Sequence, residues 1–377
     1  MSKGACAAAL LDRDTLSEIF RACMELLDSP ENCDSNSTYT TLDTSRAPWV
    51  LGQVCHSWRH IVLSSPLLWT SVNILLDRDG SEHNAARRAL FLLDLYLSRS
   101  ASCPLSVSIH SSTGFQRSPF FLRSLISASS RWHTLLINIP ISSYETLSVL
   151  TGFLDSLKVL HIGVPYQNKS QAIRDFTNLR DGIRVFRFCN NLERLTLNDI
   201  PFPRDVLHLP WARIHCLSVH STLSLVTNSI TIRTLHGLPN LTSCSLECRF
   251  AINCGKLHRL TLPMLRSMTL FSAEHYHDTE AVEDSGLGAA QMLSWLTLPA
   301  LNQLQLRQKF KIELEHSIVV EVIQLLRRSG CEIRGLQLHL CPSISEAGVM
   351  SILKEVSPSP EKLCPLPGYR AYYNLQS

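Results

Sequence analysis

The sequence predicts an α/β chain, with a small helical N-terminal domain followed by a solenoid in which short parallel strands alternate with helices. Three observations predict it. Apolar residues recur at helical spacing twice within the first 75 residues. From about residue 100 onward, the pattern apolar-x-x-apolar-x-apolar recurs eight times in order. The residue between its last two apolar positions is polar in seven of the eight, as a half-solvated strand requires.

A chain of 377 residues suits about two domains, or one small domain with a repeat array. With 45% hydrophobic and 18% charged residues it can bury a large core, which argues against wholesale disorder. The formal net charge is +3 and the charges are mixed along the chain, so nothing predicts a nucleic-acid partner. No apolar run approaches the ~20 residues that cross a bilayer, and no membrane association is expected. The stretch Met1 to Leu11 is short and partly apolar, but Asp12, Arg13 and Asp14 follow at once, unlike a secretory signal. The 13 cysteines run from Cys6 to Cys364 with no Cys-x-x-Cys pair, which reads as reduced thiols in cytoplasm or nucleus.

The first helix is expected over residues 14–27. Leu16, Ile19, Phe20, Cys23 and Leu27 share one face, and Asp14 is placed to cap the start. Residues 28–46 are polar and read as a loop. A second helical stripe opens at Pro48 and runs through Leu51, Val54, Cys55, Trp58, Ile61 and Val62, and Leu67, Leu68 and Trp69 follow as a short apolar anchor. The helical domain is therefore drawn at 1–75, with a connecting helix in 76–99. A unit this small is near the lower limit of independent stability, a physical hint towards a partner.

These residues also carry a resemblance. Leu11, Leu16, Ile19 and Phe20, then Val54-Cys55-x-x-Trp58-Arg59, then Pro66-Leu67-Leu68-Trp69 resemble the F-box, and more narrowly the F-box proteins of mushroom-forming fungi. Leu95-x-Leu97-Ser98-Arg99-Ser100 and Cys103-Pro104-Leu105-Ser106-Val107 are similar to the segment that follows the F-box there. The chain departs from the family in having Leu11-Asp12 where Leu-Pro is usual, and in its long 28–46 insertion. The resemblance implies docking on the Skp-type adaptor of a cullin–RING ubiquitin ligase. By position, Leu11, Leu16, Ile19, Phe20, Val54, Cys55, Trp58 and Trp69 are the adaptor-binding candidates. The competing expectation is a helical cap over the repeats, with Trp58 and Trp69 in the core under either reading.

The eight motifs begin at Trp132, Leu157, Leu192, Ile214, Leu241, Leu265, Leu301 and Ile333, and Leu105, Val107 and Ile109 suggest a leading edge strand. Their spacing of about 22 to 36 residues overlaps that of leucine-rich repeats, some with insertions. The second and third apolar residues point to one face of a short strand, which no unit can bury alone. Helices are expected between strands, for example at 170–180 and 317–328. The solenoid is drawn at 100–356, with an irregular tail at 357–377. The intervening residues Leu136, His161, Thr196, Ser218, Ser245, Thr269, Gln305 and Gln337 point to the opposite, concave face. The next outward row is Asn138, Gly163, Asn198, His220, Glu247, Phe271, Arg307 and His339. From these rows His161, Thr196, Asn198, His220, Glu247, Phe271, Gln305, Arg307 and Gln337 are the candidates to bind a protein substrate.

No phosphate-binding glycine loop, Gly-x-Ser-x-Gly elbow or His-Glu-x-x-His helix is present. Cys244, Cys248, Cys254 and His258 lack the spacing of a zinc site, and His275, His277 and Asp278 fall in a polar stretch, 272–288, read as an inserted loop. The expectation is a non-enzymatic binding protein without metal or cofactor. It is either the substrate-recognition subunit of a ubiquitin ligase or a repeat scaffold with no ligase link.

Overall fold

The computed structural model describes residues 12–28, 41–75, 83–112, 119–165, 169–179, 181–221, 226–249, 259–272, 285–307, 315–339, 346–356 and 371–374. Contacts divide the chain into two units, Met1–Lys158 and Val159–Ser377. The boundaries drawn from the sequence at 75 and 100 both lie within the first.

In the first unit, α1 (Arg13–Asp28) forms where a helix was expected over 14–27, but its buried face is Leu16, Phe20 and Met24, while Cys23 is half-buried and Ile19 exposed. Asp12, not Asp14, caps it. The Thr15 N–H donates to Asp12 Oδ1 at 2.8 Å, and this bond holds the Asp12 carboxyl below its ordinary range. The second stripe, expected as one helix, is divided into α2 (Leu51–Val54) and α3 (His56–Leu63) by an extended Cys55 at φ −158°, ψ 172°. The Cys55 carbonyl accepts from the Arg59 N–H, and Arg59 Nε donates back to the Gly52 carbonyl at 2.9 Å. This break turns the end of α2 out of register with α3, so Ile61 and Val62 are buried while Val54 and Cys55 are exposed. Pro48 lies in the turn before α2 rather than in a helix, and its bond to Ala47 is cis.

After a short turn of 3-10 helix (Pro66–Trp69) comes a strand that the sequence reading missed, β1 (Ser71–Leu75). It is followed by α4 (His83–Arg99), β2 (Leu105–His110), α5 (Pro119–Ser127) and β3 (Trp132–Asn138). The three strands pair in parallel in chain order, aligning Val72, Val107 and Leu135, and then Ile74, Ile109 and Ile137. The strand at Leu105 is therefore not the leading edge, because β1 pairs on its other side. Nor is α4 a mere connector. Leu93, Tyr96 and Leu97 are buried, and Tyr96 Oη donates to the Ser71 carbonyl at 2.7 Å. The far end of the expected 28–46 loop is pinned to β1, where the Thr41 N–H donates to the Asn73 carbonyl at 2.8 Å and the Asn73 N–H donates to Thr41 Oγ1 at 2.6 Å.

The second unit begins with β4 (Val159–Gly163), α6 (Lys169–Thr177), β5 (Arg194–Asn198), α7 (Pro203–Val206), β6 (Cys216–His220) and α8 (Asn228–Leu235). It continues through β7 (Ser243–Cys248), the two-residue β8 (Leu260–Thr261), β9 (Ser267–Ser272), α9 (Ser285–Ser294) and the two-residue β10 (Leu296–Thr297). Last come β11 (Gln303–Arg307), α10 (Glu315–Ser329), β12 (Gly335–His339), α11 (Glu346–Val356) and β13 (Ala371–Asn374). Strands β4, β5, β6, β7, β9, β11 and β12 pair in parallel in that order. Their register aligns Leu160, Leu195, Leu217, Cys244, Met268, Leu304 and Leu336 in one row. β8 and β10 form a separate parallel pair.

All three apolar positions of all eight motifs are buried, none more than 6% exposed. Each buried Leu or Ile is worth about 1.5–3 kcal/mol relative to exposure, so these stacked rows dominate the core. The strand entries share one hydrogen-bond device. The carbonyls of Glu193, His215, Thr242, Arg266 and Asn302 each accept from two consecutive N–H groups at the start of the following strand. Helices α8 to α11 pack each against the next. Two corrections concern extended segments. The tail is not wholly irregular, because β13 pairs antiparallel with the free edge of β12, where Tyr372 and Tyr373 supply high strand propensity. The stretch read as a loop over 272–288 gives its last four residues to α9, and its central histidines lie outside the described residues.

Candidate functional site

Two surfaces carry the candidate residues, one in each unit. In the first unit the adaptor-binding candidates separate by burial. Leu16, Phe20 and Trp69 are buried and cannot themselves touch a partner. Phe20 meets the half-buried Trp58 edge-on at 4.8 Å, which closes α1 onto α3. Trp69 Nε1 donates to the Val62 carbonyl at 2.9 Å, and its ring packs edge-on against Trp49 and Tyr96 at 5.0 and 5.1 Å. The Arg99 guanidinium lies over the Trp69 ring at 4.4 Å. Ile19 (42% exposed), Val54 (59%) and Cys55 are open to solvent. Leu11 lies outside the described residues. Sequence reasoning missed the half-buried Trp49, which lies before the first periodic position, Leu51, and missed the exposure of Leu67, which it placed in an apolar anchor, and of Leu63.

In the second unit the alternation along each strand fixes two faces. The row of His161, Thr196, Ser218, Ser245, Thr269, Gln305 and Gln337 is aligned strand to strand, and every member is half-buried, as residues packed side by side on a solvated face should be. Thr269 Oγ1 donates to Gln305 Oε1 at 3.2 Å across the β9–β11 pair. In the next row Asn198 and Arg307 are exposed, while His220 and Phe271 are half-buried with ring centroids 5.1 Å apart. Those two rings meet although the strand between theirs, β7, carries Glu247. Nothing is described of the His339 side chain.

Glu247 does not fit the expectation of a solvated binding residue. It is 8% exposed and pairs with Arg249, itself 9% exposed, with Nη2 at 2.8 Å and Nε at 3.2 Å from Oε1. Its Oε2 accepts the Ser221 N–H at 2.7 Å, and Arg249 Nη2 also donates to the Ser221 carbonyl. Ser221 Oγ donates to Asp199 Oδ1 at 3.3 Å, and the Arg249 N–H donates to Asn228 Oδ1 at 3.0 Å. Asn228 Nδ2 donates in turn to the Gly288 carbonyl at 2.6 Å. This network ties together the chain leaving β5, β6 and β7 and the start of α8 and α9. The sequence offered one sign of it, the Glu-x-Arg spacing that puts both residues on one side of an extended chain.

Burial sets the electrostatics here. It pushes the Glu247 carboxyl up, against the pull of the Ser221 N–H and Arg249. It pushes the His161 and His220 imidazoles down, helped at His220 by the neighbouring His161 and opposed by Asp199. Both rings are therefore uncharged at neutral pH and act as hydrogen-bonding, flat apolar groups.

Of the four residues examined as a zinc set, Cys254 and His258 lie outside the described residues. Cys244 and Cys248 are buried, and burial raises both thiols, Cys244 to about 12. Among the described residues no group of three or more His, Cys, Asp or Glu could hold a metal ion, and no helix is long and apolar enough to cross a membrane. An uncharged alkylating reagent at neutral pH is therefore expected to modify exposed Cys55 rapidly, and Cys244 and Cys248 only on unfolding. Peptide mass mapping checks this, and equal labelling of Cys244 and Cys55 in the native protein would contradict the burial. Against known proteins, no family model and no curated sequence matches the chain.

Proposed function

We propose that the chain is the substrate-recognition subunit of a cullin–RING (SCF-type) ubiquitin ligase. In this reading α1 to α3 form an F-box-like unit that docks a Skp-type adaptor. The parallel strands and their helices form a leucine-rich-repeat-like solenoid, whose polar face captures a protein substrate. The chain acts by proximity, holding the substrate at high effective concentration near the ubiquitin-loading enzyme, and does no bond chemistry itself.

The observation that carries the reading is the apolar exposure on α1 and α2. Ile19 and Val54 are open although the core beside them is already filled by Phe20, Trp58 and Trp69. Large apolar side chains not needed by their own core suit a partner's groove. The test is co-purification of the full chain with a Skp-type adaptor. Wild type is expected to capture it, and Ile19→Asp and Val54→Asp to lose capture by tenfold or more with unchanged circular dichroism. Capture that survives both substitutions, or a wild type that captures nothing, would overturn adaptor docking. A scaffold with no ligase link is the second reading, favoured by the completeness of that same core, which leaves Phe20, Trp69 and Tyr96 fully buried without any partner.

A further inference from the structure

We infer that the cavity between α7 and α8 takes the C-terminal residue of a partner protein, an apolar residue whose free carboxylate is held by Arg204 and Arg233. The site stands apart from the adaptor-docking residues and from the polar strand face, and it depends on neither of those readings.

The cavity encloses about 260 Å³ within the second unit. α8 supplies one wall. Ile230, Arg233 and Gly237 follow at i, i+3 and i+7, and the turn runs on past α8 because the Gly237 N–H donates to the Thr234 carbonyl at 3.2 Å, so all three share one face. α7 supplies the other wall, with Arg204 and Asp205 on it and Phe202 just before it. Two features set Arg204 and Phe202 in place there. A Cβ at Gly237 would overlap the Arg204 guanidinium, so glycine admits that group against the α8 face, and the ring of Trp211 backs it at 5.7 Å. Phe202 stands at φ +49°, the left-handed region that favours glycine, and its carbonyl accepts from the Asp205 and Val206 N–H groups. Its side chain is nevertheless 47% exposed, so core packing does not account for a bulky residue at that backbone position.

Charge decides the ligand. Among the described residues, the Arg233 and Asp205 side chains have no hydrogen-bond or ion-pair partner, and Arg204 has only the Trp211 ring. Neither guanidinium donates to the last carbonyls of α8, so helix-end capping does not occupy them. Arg204 and Arg233 against Asp205 leave the lining with one net positive charge. A carboxylate neutralises it and matches the fork of a guanidinium, whereas a phosphate at about −1.5 to −2 overshoots it. Size decides how that carboxylate arrives. The volume lies below the ~300–1,000 Å³ of sites for drug-sized ligands, so one residue enters and a continuing backbone does not. An internal Asp or Glu would bring chain in on both sides. In a C-terminal residue the carboxylate and the side chain branch from one carbon, so the carboxylate meets the arginines while an apolar side chain lies against Phe202 and Ile230. Its amide N–H is left to Asp205, and the preceding chain leaves through the open side, where Phe202, Arg204 and Arg233 are exposed.

The test is fluorescence anisotropy of N-terminally labelled Gly-Ser-Gly-Ser-Gly-Leu titrated with the full chain, beside the same peptide as its C-terminal amide and with Ser in place of the last Leu. The free-acid Leu peptide is expected to bind at least about tenfold more tightly than either, and to weaken with added salt. Arg233→Gln should remove the preference for acid over amide and leave the thermal midpoint unchanged, because that side chain is exposed and has no partner among the described residues. Gly237→Ala, which expels the Arg204 guanidinium without changing any charge, should weaken the acid peptide in the wild-type background and add nothing in an Arg204→Gln background. Free leucine carries an ammonium into a net-positive cavity and should compete at least about tenfold less well than the peptide. Equal affinity for acid and amide, equal affinity for the Leu and Ser peptides, an unaffected Arg233→Gln variant, or no binding at all would overturn the inference. So would free leucine that competes as well as the peptide, or a Gly237→Ala loss of the same size in the Arg204→Gln background.

Discussion

Arg249→Ala is expected to destabilise the second unit by about 3–5 kcal/mol, the cost of leaving one partner of a buried ion pair without the other. The geometry explains the size. Glu247 and Arg249 are both under 10% exposed, and the guanidinium also holds the Ser221 carbonyl, so its loss strands a carboxylate and a backbone acceptor together. The charge makes the effect depend on pH. Burial already raises the Glu247 carboxyl from 4.5, and removing Arg249 raises it further. A group whose folded value lies above its unfolded one is stabilising below the unfolded value and loses that contribution as pH rises through the folded one. The deficit should therefore be largest near neutral pH and shrink towards 4.5. Glu247→Gln in the Arg249→Ala background should recover part of the loss by removing the stranded charge. Urea denaturation of wild type, Arg249→Ala, Glu247→Gln and the double variant at two pH values gives the cycle. A cost under about 1 kcal/mol at neutral pH would mean that the pair is open to water.

Phe20→Ala and Trp69→Ala should each cost about 3–5 kcal/mol, the range for emptying a buried aromatic site. Phe20 is fully buried and closes α1 onto α3 through Trp58, while Trp69 anchors Val62 and stacks with Trp49 and Tyr96. Ile19 is one residue from Phe20, yet Ile19→Asp should change stability by only about 0.5–1 kcal/mol, because its side chain is exposed and fills no core site. Thermal unfolding of the three variants checks the contrast. A large loss from Ile19→Asp would place that residue in the core and remove it from any docking surface.

Much of the repeat region was legible because its code is local. Each apolar triplet specifies a strand, its middle residue and its buried face within six residues, and register then follows from burying every triplet together. This is why Leu160, Leu195, Leu217 and Leu304 could be assigned one shared row before any strand was seen, and they do share it. The helical periods of α1 and α10 were legible for the same reason. The candidate sites were less so. Resemblance to the F-box supplied the set Leu16, Ile19, Phe20, Val54, Cys55 and Trp69, but neither it nor periodicity could say which of them face solvent, because that turns on the extended Cys55 and on what packs behind each helix.

Taken alone, then, the amino-acid order determined the α/β class, the eight core triplets and the polar row between them, since periods of 2 and 3.6 are written into neighbouring residues. Tertiary structure decided what depends on residues far apart in sequence. It made Ser71–Leu75 a strand because β2 offers it a partner edge, and it gave β12 a last neighbour in β13. It drew α4 into a core, and it converted Glu247 from a surface candidate into half of a buried pair, because Ser221, which holds both Glu247 and Arg249, reaches them only once β6 and β7 lie side by side. Burial and charge compensation are sums over all neighbours, and those neighbours exist only in the folded chain.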